Sequence, residues 1–307
     1  MRPLRVVHII NVLALGGMEY NVLKVVNRLD RARFTATICS LLTPVPAARA
    51  LVAPDVTVWE FKRRDGLELG LILRLARRLR RARIDVVHTH NWSTFLYGVV
   101  AARLAGVKTV VHGEHGLEKD NLVEGPRRRL IRRVLARMVD HFTCVSWDIF
   151  ERIEHGWGVA PQRITYIPNG VDLSRFGQPA PVAETRALLG IDEADPVVTS
   201  IGALRPVKDF GTLLRAFVIV QRQQPKAHLL LIGPDPHHWA MLQERGDLPQ
   251  IGAANERVHC LGLRLDTPEL LSLTDVYVNS SLYEGMSNTI LEAMATRRPV
   301  VATAVPW

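Results

Sequence analysis

The chain has 307 residues, 48% hydrophobic and 22% charged, enough for two ordinary globular domains and unlike a disordered or fibrous protein. The net charge of +9 is carried mostly by arginine. The 6% aromatic content lacks aromatic–basic interleaving and no recognition motif is present, so nucleic acid is not an expected partner. Cys39, Cys144 and Cys260 are odd in number and far apart, which points to a reducing compartment.

Arg2 and Arg5 precede an apolar run, as in a secretory leader. His8 and Asn11 interrupt that run and no clear cleavage site follows, so a first strand, Arg5–Ile10, is expected instead. No apolar stretch approaches the ~20 residues that a membrane helix needs, and a soluble, cytoplasmic protein is expected. Further strands are read at Thr35–Ser40, Val56–Phe61, Asp85–His88, Thr109–His112 and His141–Val145. Helical periodicity falls between them, at Met18–Leu29, Leu69–Ala82, Thr94–Ala105 and Arg127–Val139. Nearly continuous apolar strands alternating with helices predict a parallel α/β sheet covered on both faces.

Ile167-Pro168-Asn169-Gly170-Val171-Asp172 closes this first unit, and Gly177–Pro181 reads as a linker. Residues 1–178 are taken as one domain and 179–307 as another. The alternation then restarts. Strands are read at Val197–Gly202, Ala227–Ile232, Val258–Leu261, Val276–Asn279 and Val300–Ala304, and helices at Phe210–Gln223, Trp239–Glu244, Pro268–Leu273 and Ser287–Thr296. Two Rossmann-like domains in tandem would leave a cleft between them, a favoured place for a ligand. The second domain ends just after a strand, where a covering helix is usual, so it reads as cut short.

Glu284 and Glu292 are the most informative residues. Glu284 stands at a strand-to-helix turn beside Gly285, and Glu292 lies about two turns into the helix. Unpartnered amides at a helix start suit an anion such as a diphosphate, and ionised carboxylates accept hydrogen bonds from sugar hydroxyls. Gly16-Gly17-Met18-Glu19 opens the first helix and lets a ligand approach the backbone. In Gly202-Ala203-Leu204-Arg205-Pro206-Val207-Lys208, Lys208 can meet a phosphate, with Arg205 as a possible partner.

His88-Thr89-His90 and His112-Gly113-Glu114-His115 end strands of the first domain. They lack a His-Glu-x-x-His helix or a cysteine partner, so no metal site is expected. Leu69–Ala82 and Arg127–Val139 are rich in arginine, with leucines at helical spacing. Each reads as an amphipathic basic helix, either simply solvated or attracted to anionic lipid.

In this order the motifs resemble family 4 of the retaining glycosyltransferases, with the GT-B fold. The match runs over nearly the whole chain: Gly16–Glu19, Asp85–His90, Val145-Ser146, the Asn169–Asp172 turn, the Gly202–Lys208 loop, Gly262 and the Glu284–Glu292 element. The resemblance implies two doubly wound domains facing a cleft, with a glycan or lipid-linked acceptor bound mainly by the first and a nucleotide sugar by the second. UDP or GDP sugars are the expected donors, as co-substrate rather than cofactor.

By the same resemblance Glu292 binds the ribose and Glu284 contacts the donor sugar. The amides of Gly285, Met286, Ser287 and Asn288, with Lys208, hold the diphosphate, and Gly17 approaches the phosphates. His115, or His112, corresponds to the family's histidine near the transferred sugar. Fixed N–H groups and a cation would then stabilise the leaving diphosphate without a metal.

Two departures stand out. The position where the family usually has arginine after the loop glycine is Ala203, and whether Arg205 replaces it is open. The family also continues past residue 307, so a fragment or truncated product is one expectation. Two other readings of the motifs are a sugar-nucleotide epimerase of the same fold, and a non-catalytic relative that binds nucleotide or a membrane surface.

Overall fold

A computed structural model describes residues 2–116, 125–178, 180–233, 239 and 256–305. The chain divides into two compact units, Met1–Asn169 and Gly170–Pro306.

The first unit runs β1 (Leu4–Ile10), α1 (Gly17–Arg28), β2 (Phe34–Ser40), α2 (Pro46–Arg49), β3 (Thr57–Glu60), α3 (Leu69–Arg81), β4 (Val86–His90), α4 (Trp92–Ala105), β5 (Thr109–Glu114), α5 (Pro126–Ala136), β6 (His141–Cys144) and α6 (Trp147–Glu151). A π-helical turn, Arg152–Gly156, leads to the short strand β7 (Ile164–Tyr166). All seven strands are parallel, in the order β3-β2-β1-β4-β5-β6-β7. Each βα crossover places its helix on a face of the sheet, which explains the apolar strands read from sequence. The strand order reverses between β1 and β4, where such sheets open a crevice at their carboxyl ends.

The second unit runs α7 (Leu173–Phe176), α8 (Ala183–Leu189), β8 (Val197–Ile201), α9 (Phe210–Gln223), β9 (His228–Ile232), β10 (Val258–Gly262), α10 (Thr267–Ser272), β11 (Val276–Asn279), α11 (Asn288–Ala295) and β12 (Val300–Ala302). Its parallel sheet has the order β10-β9-β8-β11-β12 and reverses between β8 and β11. Asp209 sits at φ 42° and caps α9, its carboxylate accepting from the Thr212 amide at 3.2 Å.

Most elements fall where sequence periodicity places them, and the differences have local causes. The division between units precedes the boundary read at 178. Asp172 caps the single turn α7, and Phe176 inserts into the second core with Leu271, Tyr277, Ile290 and Ala293. Burying that ring stabilises the second unit by ~1.5–3 kcal/mol, so α7 packs with that unit. β7, at three residues, is too short to show alternation. The helix read at Trp239–Glu244 falls outside the described residues apart from Trp239, whose ring packs edge-on against Phe210 at 5.8 Å.

Candidate functional site

Chemistry gathers at the carboxyl end of each sheet, next to the point where strand order reverses. In the second unit, β8 delivers Gly202 and the 3-10 turn Pro206–Lys208, while β11 delivers Asn279 and the turn to α11. The Leu282 amide donates to the Val207 carbonyl at 2.8 Å, and the Ser280 hydroxyl to the Lys208 carbonyl at 2.7 Å. These bonds tie the two loops together and bring Lys208 to Glu284.

Lys208 Nζ donates to Glu284 Oε1 at 2.5 Å. The same oxygen accepts from Ser281 Oγ at 2.6 Å and from Asn279 Nδ2 at 3.2 Å. The Asn279 carbonyl oxygen in turn accepts from the Ser281 amide at 3.1 Å. Three donors therefore converge on one carboxylate oxygen, with side-chain exposures of 22% for Lys208 and 12% for Glu284. The ammonium is thus held at the strand ends, half-buried, with its charge balanced by the Glu284 carboxylate.

Close backbone approach opens this edge. A side chain at Gly202 would stand 3.4 Å from the Lys208 stem. Gly233, at φ 109°, could carry no Cβ without striking the Gly202 carbonyl. Ser287 is the N-cap of α11 in extended conformation, and its own side chain makes no cap hydrogen bond. Glu292 lies in the second turn of α11, half-buried. Ala203 and Arg205 are exposed, so the structure leaves Arg205 at the rim while Lys208 is drawn inward.

The first unit presents imidazoles. His8 of β1 pairs in register with His88 of β4, and His90 with Gly113 of β5. His8 Nδ1 lies 3.1 Å from His90 Nε2, and His90 Nδ1 lies 2.9 Å from His115 Nε2. The Asn91 side-chain oxygen accepts from the His115 amide at 2.8 Å, and the Asn91 amide donates to Gly113 at 2.9 Å. Asn91 holds φ 59° to make this turn into α4. Burial pushes the imidazoles of His8 and His115 down to about 4, and those of His88 and His90 well below their ordinary value. All four are neutral at pH 7.

The two histidines proposed for one role are separated by the sheet. Thr89 and Ile9 crowd Gly98 of α4, so their alternation points toward that helix. His112 shares that side. It is fully buried, stacks on Phe95 at 3.9 Å between ring centres, and lies within hydrogen-bond distance of Thr89 (2.7 Å) and Glu114 (3.2 Å). Burial lowers its pKa, and the Glu114 carboxylate partly opposes that. Burial likewise pushes Glu114 upward, but the His112 hydrogen bond and the Arg132 charge outweigh it and hold Glu114 below its ordinary range. His112 is therefore a satisfied core residue, whereas His115 is half-buried at the strand end.

Gly17 is the first residue of α1, and the Glu19 side chain folds back over Gly16. That acid complements the helix dipole at the place where the sequence suggests a phosphate.

The arginine helices also differ from the sequence reading. α3 keeps its basic face outward. On α5, Arg132 is 1% exposed, with its guanidinium 5.1 and 4.9 Å from the ring centres of Trp92 and Trp157. It is a core cation, not part of a solvated face.

His8, Asn279 and Ser281 join these sites without a sequence motif that marks them. The signal for His8 is a polar residue inside an apolar strand. Asn279 and Ser281 carry no signal until the turn is folded.

Comparison with known proteins agrees with this layout. The family profile of Glycosyltransferase Family 4 matches residues 15–175, and that of Glycosyl transferases group 1 matches 195–306. The chain is 29% identical over 248 residues to an Escherichia coli UDP-Gal:alpha-D-GlcNAc-diphosphoundecaprenol alpha-1,3-galactosyltransferase, covering 78% of this chain and 62% of the relative. It is 27% identical over 298 residues to a D-inositol 3-phosphate glycosyltransferase of Thermobispora bispora, covering 90% and 61%. The chain thus spans less than two thirds of either relative. Among solved structures, HepE of Anabaena in complex with UDP and glucose superposes with a TM-score of 0.81 at 20% identity, covering 99% of this chain and 81% of that one. WaaG, a glycosyltransferase involved in lipopolysaccharide biosynthesis, gives 0.75 at 16%, covering 98% and 81%.

Proposed function

We propose that this chain, which belongs to glycosyltransferase family 4 and has the GT-B fold, transfers a sugar from a nucleotide donor to a glycan or lipid-linked acceptor with retention of configuration. The observation that carries the reading is the Lys208–Glu284 pair, set among Asn279, Ser281 and the start of α11 at the reversal point of the second sheet.

In this reading the donor diphosphate takes the Lys208 ammonium away from Glu284 and lies against the amides of Gly285 to Asn288. The freed Glu284 carboxylate accepts from a hydroxyl of the donor sugar, with Asn279 and Ser281 keeping it in place. Glu292 accepts from the ribose. As the glycosidic bond to the diphosphate breaks, charge grows on the leaving oxygen, and prepositioned N–H groups and the ammonium stabilise it there. The reaction then needs no divalent ion. His115, rather than the enclosed His112, is the first-unit imidazole assigned to the transferred sugar. A UDP sugar is the favoured donor, because the E. coli relative is named for UDP-Gal and HepE holds UDP.

We place the acceptor side at a membrane surface. No helix among the described residues is long and apolar enough to cross a membrane. Leu69 and Leu73 of α3, and Leu130, Ile131 and Val134 of α5, are nonetheless exposed beside arginines. Arg74, Arg77, Arg78 and Arg81 line a pocket of about 470 Å³ against Trp59 and Phe61. Such a face suits an anionic head group and matches a lipid-linked acceptor.

The test is purified chain with UDP, GDP and ADP sugars and a lipid-linked glycan extract. Release of nucleoside diphosphate with a lengthened glycan is expected. No nucleotide binding and no release with any donor would refute the assignment. Co-sedimentation with anionic vesicles, weakened by salt, checks the membrane face.

A further inference from the structure

We propose that His8, His88 and His90 form a binding site for a borderline divalent transition metal, with Zn2+ the ion it suits best. The ligand atoms of the three residues lie within 4.8 Å of one another. His8 and His88 are register partners on adjacent strands, and His90 is two residues beyond His88 on the same strand face. The sheet, not a flexible loop, therefore fixes all three.

The geometry is close to what the ion asks. Zn–N bonds of ~2.0–2.1 Å at a tetrahedral angle put two ligand nitrogens roughly 3.3 Å apart. His8 Nδ1 and His90 Nε2 are 3.1 Å apart. The His88 ring centre is 4.2 Å from that of His90 and 5.1 Å from that of His8, so a small ring rotation completes three ligands. His88 Nε2 is buried and has no hydrogen-bond partner among the described residues. A buried imidazole nitrogen without a partner is costly, and a metal is one way to satisfy it. Glycine at position 113 keeps that side open, since a Cβ there would stand 3.0 Å from His88 Nε2.

Chemistry selects the ion. The donor set is imidazole alone, with no carboxylate or carbonyl cage of the kind Ca2+ or Mg2+ needs. Neutral imidazole is the ligating form, and these rings are held neutral, so protons do not compete near pH 7. His90 also has an outer partner, His115 Nε2 at 2.9 Å from its second nitrogen. A ligating His90 would donate Nδ1–H to His115 and be oriented by it, as metal-bound histidines are by their outer shell. The site lies in the first unit and does not depend on the donor contacts proposed for the second.

The experiment is equilibrium dialysis of the metal-free chain against Zn2+, with Co2+ as a visible probe, for wild type, His8→Gln, His88→Gln and His259→Gln. The last is the control, because His228 and His259 form a second imidazole pair 2.8 Å apart in the other unit. The expected result is one Zn2+ per chain, four-coordinate Co2+ bands, and roughly 100-fold weaker binding in the His8 and His88 variants. The control should bind as wild type. X-ray absorption of the zinc-loaded wild type should show imidazole scattering without sulfur, which does not rely on any variant folding. No stoichiometric ion, unchanged affinity in both first-unit variants, or sulfur ligation would overturn the proposal.

Discussion

The two sheets share one winding order and carry opposite chemistry at the place where it reverses. In the first unit the reversal point is filled by imidazoles kept neutral by burial. In the second it holds an ammonium and a carboxylate, half-buried among an amide and a hydroxyl. A neutral, preorganised edge can orient an uncharged hydroxyl without paying to desolvate a charge. A charged edge with an exchangeable counter-ion can accept a diphosphate. The same topology therefore carries two different chemistries, and the difference lies in which side chains end the strands.

The largest effect should come from acid. Below pH 6.5 the unfolded chain protonates histidines that the folded first unit keeps neutral. Stability is therefore complete above that value and is lost progressively as pH falls below it toward about 4, where His8 and His115 titrate in the folded chain. Each unit of displacement is worth about 1.4 kcal/mol, so the loss over the window should reach several kcal/mol. Denaturant titrations from pH 7.5 to 4 measure it, and His8→Gln should flatten the slope. An equal slope in that variant would erase the contrast between the edges.

Next in size is Glu284→Gln. It keeps the shape of the side chain but removes a charged acceptor, at ~1.5–3 kcal/mol in transfer, or roughly 10–100-fold in kcat/KM. Nucleotide binding should survive, because Lys208 is then free for phosphate. Gly113→Ala follows. Its methyl group would stand 3.0 Å from both His88 Nε2 and Thr143 Oγ1, costing ~1–3 kcal/mol of stability, read as a lowered Tm. The smallest change is Ala203→Arg. Position 203 is exposed beside the Lys208 loop, and restoring an arginine should tighten donor binding only severalfold, by ~1 kcal/mol.

Much of this was legible in the sequence because apolar strands, helix periods and loop glycines are local signals. The Glu284–Glu292 element and the Lys208 loop could be placed at strand ends on those grounds alone. That Lys208 and Glu284 touch could not, since their contact depends on the Leu282–Val207 and Ser280–Lys208 bonds between separate loops. His112 and His115 looked equivalent in one dimension. Strand alternation and the packing of α4, through Gly98 against Thr89 and Phe95 against His112, enclose the first and leave the second at the edge. Arg132 reads as one of six arginines on a basic helix, and only the two indoles around it reveal a core position.

In the proposed donor complex, Lys208 exchanges Glu284 for a diphosphate. Calorimetric titration of UDP and of uridine into wild type and Lys208→Met tests it most directly. The substitution should weaken UDP by roughly 10–100-fold while leaving uridine nearly unchanged, as the loss of one charge-assisted phosphate contact requires. Equal weakening of both ligands, or full UDP affinity without the ammonium, would contradict it.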